Sequence, residues 1–443
     1  MSVNALRAVE AELATRWPES KVEPSLDRIR DLTDLLGRPQ DAYPVIHISG
    51  TNGKTSTARM IDELLRELGL RTGRFTSPHL VSVTERICLD GEPIDGDRFA
   101  AGYRELAPYL DLVDSRHDVR LSYFEVLVAL AYATFADAPV DVAVVEVGMG
   151  GVWDATNVAD GKVAVITPIA IDHADYLGDT IEQIAEEKAG IIKAGSVVVV
   201  GQQPDEAAEV LARRSAEVGA TVVVEDGNFA VRDRQLALGG QQLALRGLTG
   251  DYDDVMLPLH GWHQASNAAC AVAAVEAFVG GAREPIDTEV VRNALARVGS
   301  PGRLEVLRRG PTILVDAAHN PAGARALSEA IQDEFSFTKL VGVVAVLSDK
   351  DVRGILEELE PIMETIVVTE NSSPRRLPVA ELTAVAEQVF GAERTVPAAN
   401  LPDAIDAAVS LVEQDAIFGG AGVLVTGSVV TAGDARHLLG GPK

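Results

Sequence analysis

A chain of 443 residues exceeds what one ordinary core supports and predicts two domains. With 47% hydrophobic and 24% charged residues the composition is that of a globular protein, and 39 basic against 66 acidic side chains leave a formal charge of −27. No Lys/Arg cluster offsets that charge, which argues against nucleic acid or an anionic membrane as partner, and the two cysteines, Cys88 and Cys270, lack the spacing of a disulfide framework or zinc site.

At the N-terminus, Glu10 and Glu12 stand where a signal peptide needs an apolar core, and no uncharged apolar run reaches membrane-spanning length. The protein is therefore expected to be cytoplasmic, and a monomer. The first β-rich run is 45–49. After a glycine turn, Ala58, Ile61, Leu64, Leu65 and Leu68 recur at helical spacing, and Gly69 supplies a stop. Further β-rich runs follow at 142–147, 163–167 and 197–200, and Thr180 with Gln183 predicts a capping box for a helix running to about Gly190. Between Gly227 and Leu259, short alternating runs at 235–238 and 242–245 predict antiparallel hairpins beside the main sheet. After a linker at 299–302 the strand and helix alternation restarts, with strands at 312–315, 341–346, 365–369 and 423–426 and an amphipathic segment at 403–412. Strands alternating with helices imply parallel sheets covered on both faces.

The turn after the first strand reads Gly50-Thr51-Asn52-Gly53-Lys54-Thr55. A strand, a glycine loop and a helix in that order set backbone N–H groups and a helix N-terminus where phosphates would sit, and Lys54 adds a mobile positive charge. The common form G-x-x-x-x-G-K-[ST] requires glycine at position 48, which is Ile48 here. Glu146 ends a buried strand run, where an ionised carboxylate is costly unless paired or bound to a cation. It reads either as a salt bridge with Lys54 or, beside a phosphate loop, as a Mg²⁺ ligand.

These residues, extended by Ser56, resemble the phosphate loop of the folylpolyglutamate synthase and Mur ligase superfamily. The resemblance covers nearly the whole chain in family order: Thr76-Ser77-Pro78-His79-Leu80, Glu146-Val147-Gly148, Asp154-Ala155-Thr156-Asn157, Asp172-His173, Glu187-Lys188-Ala189-Gly190-Ile191, His263 through Ala269, Pro301-Gly302-Arg303 and Asp316 through Pro321. Within the superfamily it points to the folylpolyglutamate/dihydrofolate synthase branch.

The resemblance implies an α/β fold. An N-terminal P-loop ATPase domain, 1–298, would hold a mainly parallel sheet plus a small antiparallel sheet. A smaller Rossmann-like α/β domain, 303–443, would act as the glutamate-ligase domain, with the site in the cleft between them. ATP and Mg²⁺ are the implied cofactors. Thr51, Asn52, Gly53, Lys54, Thr55, Ser56, Asn267, Arg303, Asp316 and His319 would contact ATP, although Asp316 and His319 also read as caps of a helix starting at Asn320-Pro321. Ser77, Glu146 and His173 would bind the metal, with Asp172 as the oxygen-bearing alternative to His173. Lys54, Lys188 and His173 would be catalytic, and Lys188 matches a carbamylated lysine of the family. Pro24, Ser25, Tyr123, Phe124, Glu125, Trp153, Asp154 and Ala155 match the folate or pteroate side. There Glu125 would accept from pterin N–H groups, while Phe124 reads equally as core. One departure stands out: Val152 replaces the arginine that the family carries before Asp-Ala-Thr-Asn.

The activity implied is transfer of the ATP γ-phosphoryl group to a carboxylate, followed by attack of an amino acid amine on the acyl phosphate. The substrates would be L-glutamate and a folate or dihydropteroate. A Mur-like ligase for another acid is an alternative, but only 49 residues precede Gly50, too few for a UDP-sugar-binding domain. A nucleotide-dependent binding module is another; it lacks the N-K-x-D motif of a GTPase and leaves 316–321 without a role.

Overall fold

The computed structural model describes residues 2–18, 23–281, 283–414 and 420–441. The chain forms two compact units: residues 1–237, 241–258 and 265–298 make the first, and 238–240, 259–264 and 299–443 the second.

Among the described residues of the first unit, eight strands form one sheet. They are β1 (Val45–Ser49), β2 (Thr72–Phe75), β3 (Ile87–Leu89), β4 (Glu92–Pro93), β5 (Val142–Glu146), β6 (Gly161–Ile166), β7 (Val197–Val200) and β8 (Thr221–Val224), in the order β4-β3-β2-β5-β1-β6-β7-β8. From β2 to β8 neighbours run parallel; β3 and β4 add antiparallel to one edge. All residues of β1 and β5 are buried, as predominantly Val/Ile/Ala strands are when helices cover both faces.

Register sets the functional edge. Phe75 lies opposite Val145, Ile48 opposite Glu146, and Ser49 opposite Ile166. The segments leaving β2, β5, β1 and β6 therefore emerge side by side at the carboxyl ends of adjacent strands, the edge where open α/β sheets bind ligands.

The helix Lys54–Glu67 follows β1 and packs Ala58, Ile61, Leu64 and Leu65 out of solvent. Each such aliphatic side chain larger than alanine contributes about 1.5–3 kcal/mol. Gly69 ends it in the left-handed region at φ 83°, with its N–H on Arg66 O and that of Leu70 on Leu65 O. The capping box at Thr180 and Gln183 starts the helix Ile181–Lys188, which is two residues shorter than its sequence suggests because 189–191 tighten into a 3₁₀ turn.

The segment read as hairpins folds into β9 (Ala230–Ala237), β10 (Gly240–Arg246) and β11 (Asp251–Leu257), a three-stranded antiparallel sheet. The observed β9 is longer than its apolar run because the charged residues Arg232, Asp233 and Arg234 interrupt the alternation.

The second unit holds β12 (Glu305–Arg309), β13 (Thr312–Val315), β14 (Lys339–Val344), β15 (Thr365–Val368), β16 (Thr395–Pro397) and β17 (Ala421–Thr426), in the order β12-β13-β17-β14-β15-β16. Only β12 is antiparallel to its neighbour. Asn320 caps the helix Pro321–Glu334 through its side chain and Pro321 occupies the first turn, where a missing N–H is harmless.

Candidate active site

The phosphate loop depends on two glycines. Gly50 adopts φ 141° and a Cβ there would strike Thr167; Gly53 adopts φ 88° and a Cβ there would lie 2.5 Å from Asn267 Oδ1. No other residue fits either place, and Asn267 is thereby brought against the loop. Lys54 Nζ donates to the carbonyls of Gly50 (3.1 Å) and Thr51 (2.9 Å), and the Thr55 hydroxyl donates to Glu146 at 2.9 and 3.0 Å. The expectation that the early loop amides face an anion needs correction. The N–H groups of Thr51 and Asn52 point to Pro168 O (3.0 and 3.4 Å), and the Thr51 hydroxyl is bonded to both Ala170 O and Ala170 N–H. Thr51 shapes the loop, and the N-terminus of the helix beginning at Lys54 is the element whose dipole favours an anion.

Around this loop stand the ends of β2, β5 and β6. Ser77 and Glu146 are both buried, and Glu146 is only 1% exposed. His173 follows β6 with a left-handed backbone, φ 53°, a strain of about 1–2 kcal/mol for a residue with a side chain. Its N–H rests on Asp172 Oδ1 at 2.8 Å. Lys188, brought in by the end of its helix, is 4% exposed and donates from Nζ to Gly50 O at 2.8 Å. Burial, reinforced by the nearby Lys54 charge, lowers its pKa to about 7, while Asp172, Asp154 and Glu187 pull the other way.

A magnesium ion fits this donor set. No group of three or more His, Cys, Asp or Glu side chains is placed to cage a metal among the described residues. Mg²⁺ asks for less, keeping several waters and taking one or two carboxylates plus phosphate oxygens. A buried carboxylate bonded to a hydroxyl of the phosphate loop would suit that role.

On the acid side two residues have clear partners within the chain. Asp154 was expected at the substrate, but its Oδ2 accepts from the N–H groups of Gly148 and Met149 (both 2.9 Å) and its Oδ1 from the N–H and hydroxyl of Thr156 (2.9 and 2.5 Å). It holds the loop after β5. Glu125, the residue expected to accept from a pterin, closes a capping box with Ser122 and takes Arg28 Nε at 3.1 Å, with both side chains buried. Phe124 tilts against Phe75 at 5.8 Å between centroids, and the Tyr123 ring lies under the Arg86 guanidinium. Ser25 accepts from Asp27 N–H at the start of the helix Asp27–Leu35, and Pro24 is exposed. Ala155 is buried, Trp153 is half-buried with its N–H on Glu187 Oε1, and Val152 is exposed.

Sequence reading passed over His47 and Gln203. His47 Nε2 meets the Thr156 hydroxyl at 2.9 Å, and burial pushes its imidazole pKa down to about 3. Neither belongs to a motif; only contacts reveal them.

In the second unit, Asp316 follows β13 and accepts from Leu304 N–H and Ala318 N–H, both at 2.7 Å. Ala317 N–H reaches Gly302 O, so the loop carrying Arg303 is tied to the segment carrying Asp316 and His319.

Comparison with known proteins agrees with this architecture. Residues 109–275 match the Mur ligase middle domain and 302–429 the Mur ligase glutamate ligase domain. The dihydrofolate synthase/folylpolyglutamate synthase of Mycobacterium tuberculosis is 54% identical over 99% of this chain and 94% of its own length. That of Bacillus subtilis is 35% identical over 80% and 83%. Among solved structures, the Mycobacterium tuberculosis folylpolyglutamate synthase complexed with ADP superposes with a TM-score of 0.96 at 54% identity, covering 100% of both chains. The Escherichia coli FolC in complex with DHPP and ADP gives 0.85 at 29% identity, covering 98% and 97%. The chain belongs to the folylpolyglutamate synthase/dihydrofolate synthase family of Mur ligases.

Proposed function

We propose that this ATP-dependent ligase joins L-glutamate to a folate and also to dihydropteroate, through an acyl phosphate. The observation that carries the reading is the grouping of Lys54, Thr55, Glu146 and Lys188 around one glycine loop at the carboxyl edge of the sheet.

A carboxylate does not react directly with an amine, because the leaving group would be oxide. Phosphorylation converts it to an acyl phosphate, which the glutamate amine attacks with loss of phosphate. Lys54 and the N-terminus of its helix would stabilise the charge that develops on the transferred phosphoryl group. Glu146, with Ser77 and His173, would hold Mg²⁺, which supplies charge neutralisation between phosphate oxygens. Lys188 keeps Gly50 in place, and its low basicity makes the amine a nucleophile for CO₂, so we assign it as the carbamylated lysine. Asn267, Arg303, Asp316 and His319 would serve the nucleotide. Tyr123, Phe124 and Trp153, with the loop at Pro24 and Ser25, would serve the pteridine acid. Residues 1–298 would act as the ATP-binding domain and 303–443 as the glutamate-ligase domain.

Incubation with Mg-ATP, glutamate and either dihydropteroate or a reduced folate should give an acid heavier by one glutamyl group, with ADP and phosphate released. ATP turnover without glutamylation of either acid would remove the substrate assignment.

A further inference from the structure

Gln203 lies three residues beyond β7, outside every motif of the phosphate site, and uses its whole carboxamide on one stretch of backbone. Its Nε2 donates to Thr167 O at 3.0 Å and to Ile166 O at 3.3 Å, and its Oε1 accepts from Ile169 N–H at 3.0 Å. Two carbonyls on one side and an N–H on the other fix the orientation of the amide. The opposite side of the same stretch belongs to the phosphate loop. Pro168 O accepts from Thr51 N–H, and Ala170 exchanges two hydrogen bonds with the Thr51 hydroxyl, both at 3.0 Å. Thr167 O and Ile169 N–H are thus held by Gln203, while Pro168 O and Ala170 hold Thr51.

The division has a mechanical consequence. Residues 167–170 leave the sheet at the end of β6 and contain a proline, which cannot donate a hydrogen bond of its own. Without Gln203, Thr167 O and Ile169 N–H lose their side-chain partner, and the carbonyls that locate Thr51 lose their support. We propose that Gln203 is a positioning residue for nucleotide binding, acting through 167–170 on Thr51 and so on the placement of the phosphate loop. This rests on the reading of that loop as the nucleotide site.

The test is calorimetric titration of the full-length protein with ADP. Wild type should bind saturably. Gln203→Met, which keeps the length and removes all three hydrogen bonds, should weaken ADP about tenfold, the loss of one to two net hydrogen bonds. Steady-state kinetics should show the same rise in KM for ATP, with KM for the pteridine acid within about twofold of wild type. The neighbouring Gln202→Met is the control; its side chain bonds to Asp226 on the surface, and its ADP affinity should match wild type. In a Thr51→Val background Gln203→Met should add less than about twofold, because both act on one contact. If Gln203→Met does not fold, Gln203→Glu, which keeps the acceptor and loses both donors, reads the same quantity. Wild type without saturable ADP binding would overturn the reading of the loop itself. Normal wild-type binding with an unchanged Gln203 variant, or costs that simply add to those of Thr51→Val, would overturn the positioning role alone.

Discussion

Lys188 Nζ donates to the carbonyl oxygen of Gly50 at 2.8 Å, so the last residue of one helix holds the first glycine of the phosphate loop. The same burial that makes this contact brings the amine pKa from 10.5 to about 7. Between those values the unfolded chain binds a proton that the folded chain does not, so stability rises with pH across that window. Below about pH 7 both states are protonated and the full penalty, on the order of 5 kcal/mol, is present. In CO₂-free buffer, Lys188→Met should therefore gain most over wild type near pH 7 and least near pH 10. Urea unfolding at both values checks this; a difference independent of pH would mean that Lys188 is not held uncharged.

An amine of that basicity is largely available to CO₂ at neutral pH. Wild type supplied with carbon-13 bicarbonate should show a carbamate carbon resonance that Lys188→Arg lacks. Equal spectra would remove the carbamate from the account.

Lys54→Ala should lower turnover by roughly 10²–10³ or more, the scale for losing a preorganised charge at a phosphoryl group. Circular dichroism should be unchanged, since Lys54 is half-buried and donates to the carbonyls of its own loop rather than to the core. Near-normal turnover would contradict its role.

Thr156 links His47 to Asp154, and its hydroxyl has one proton, which goes to Asp154 Oδ1 at 2.5 Å. His47 must then donate from Nε2. Thr156→Val leaves that buried N–H and the carboxylate short of a partner and should cost about 1–3 kcal/mol in urea unfolding, whereas Thr156→Ser should recover most of it. Equal losses in the two variants would show that methyl packing, not the hydroxyl, matters.

Arg28 and Glu125 form a buried pair. Arg28→Met alone should cost about 3–5 kcal/mol by leaving a buried carboxylate unpaired, and adding Glu125→Gln should return much of that. A double variant as unstable as the single one would argue against the ion pair as the source.

Much of the molecule was legible in its sequence because the chemistry and the pattern coincide. β1, β5, β6 and β7 are apolar runs, and the phosphate loop is glycine-rich between a strand and a helix. β2 was hidden because Arg74, a charged residue, sits inside it; Asp62 pairs with it at 2.6 Å and both are buried. The partners of Asp154 and Glu125 were hidden for a related reason. A sequence displays a carboxylate but not its donors, and here backbone amides, Thr156 and Arg28 supply them. Gln203 gave no signal, since a glutamine after a strand differs from a surface residue only in what it touches.

The central claim is acyl-phosphate chemistry, and heavy-oxygen transfer tests it most directly. The pteridine acid is prepared with heavy oxygen in the carboxylate that reacts and is turned over with unlabelled ATP and glutamate. The released phosphate should carry one heavy oxygen for each amide formed. Unlabelled phosphate accompanying normal amide formation would contradict the account.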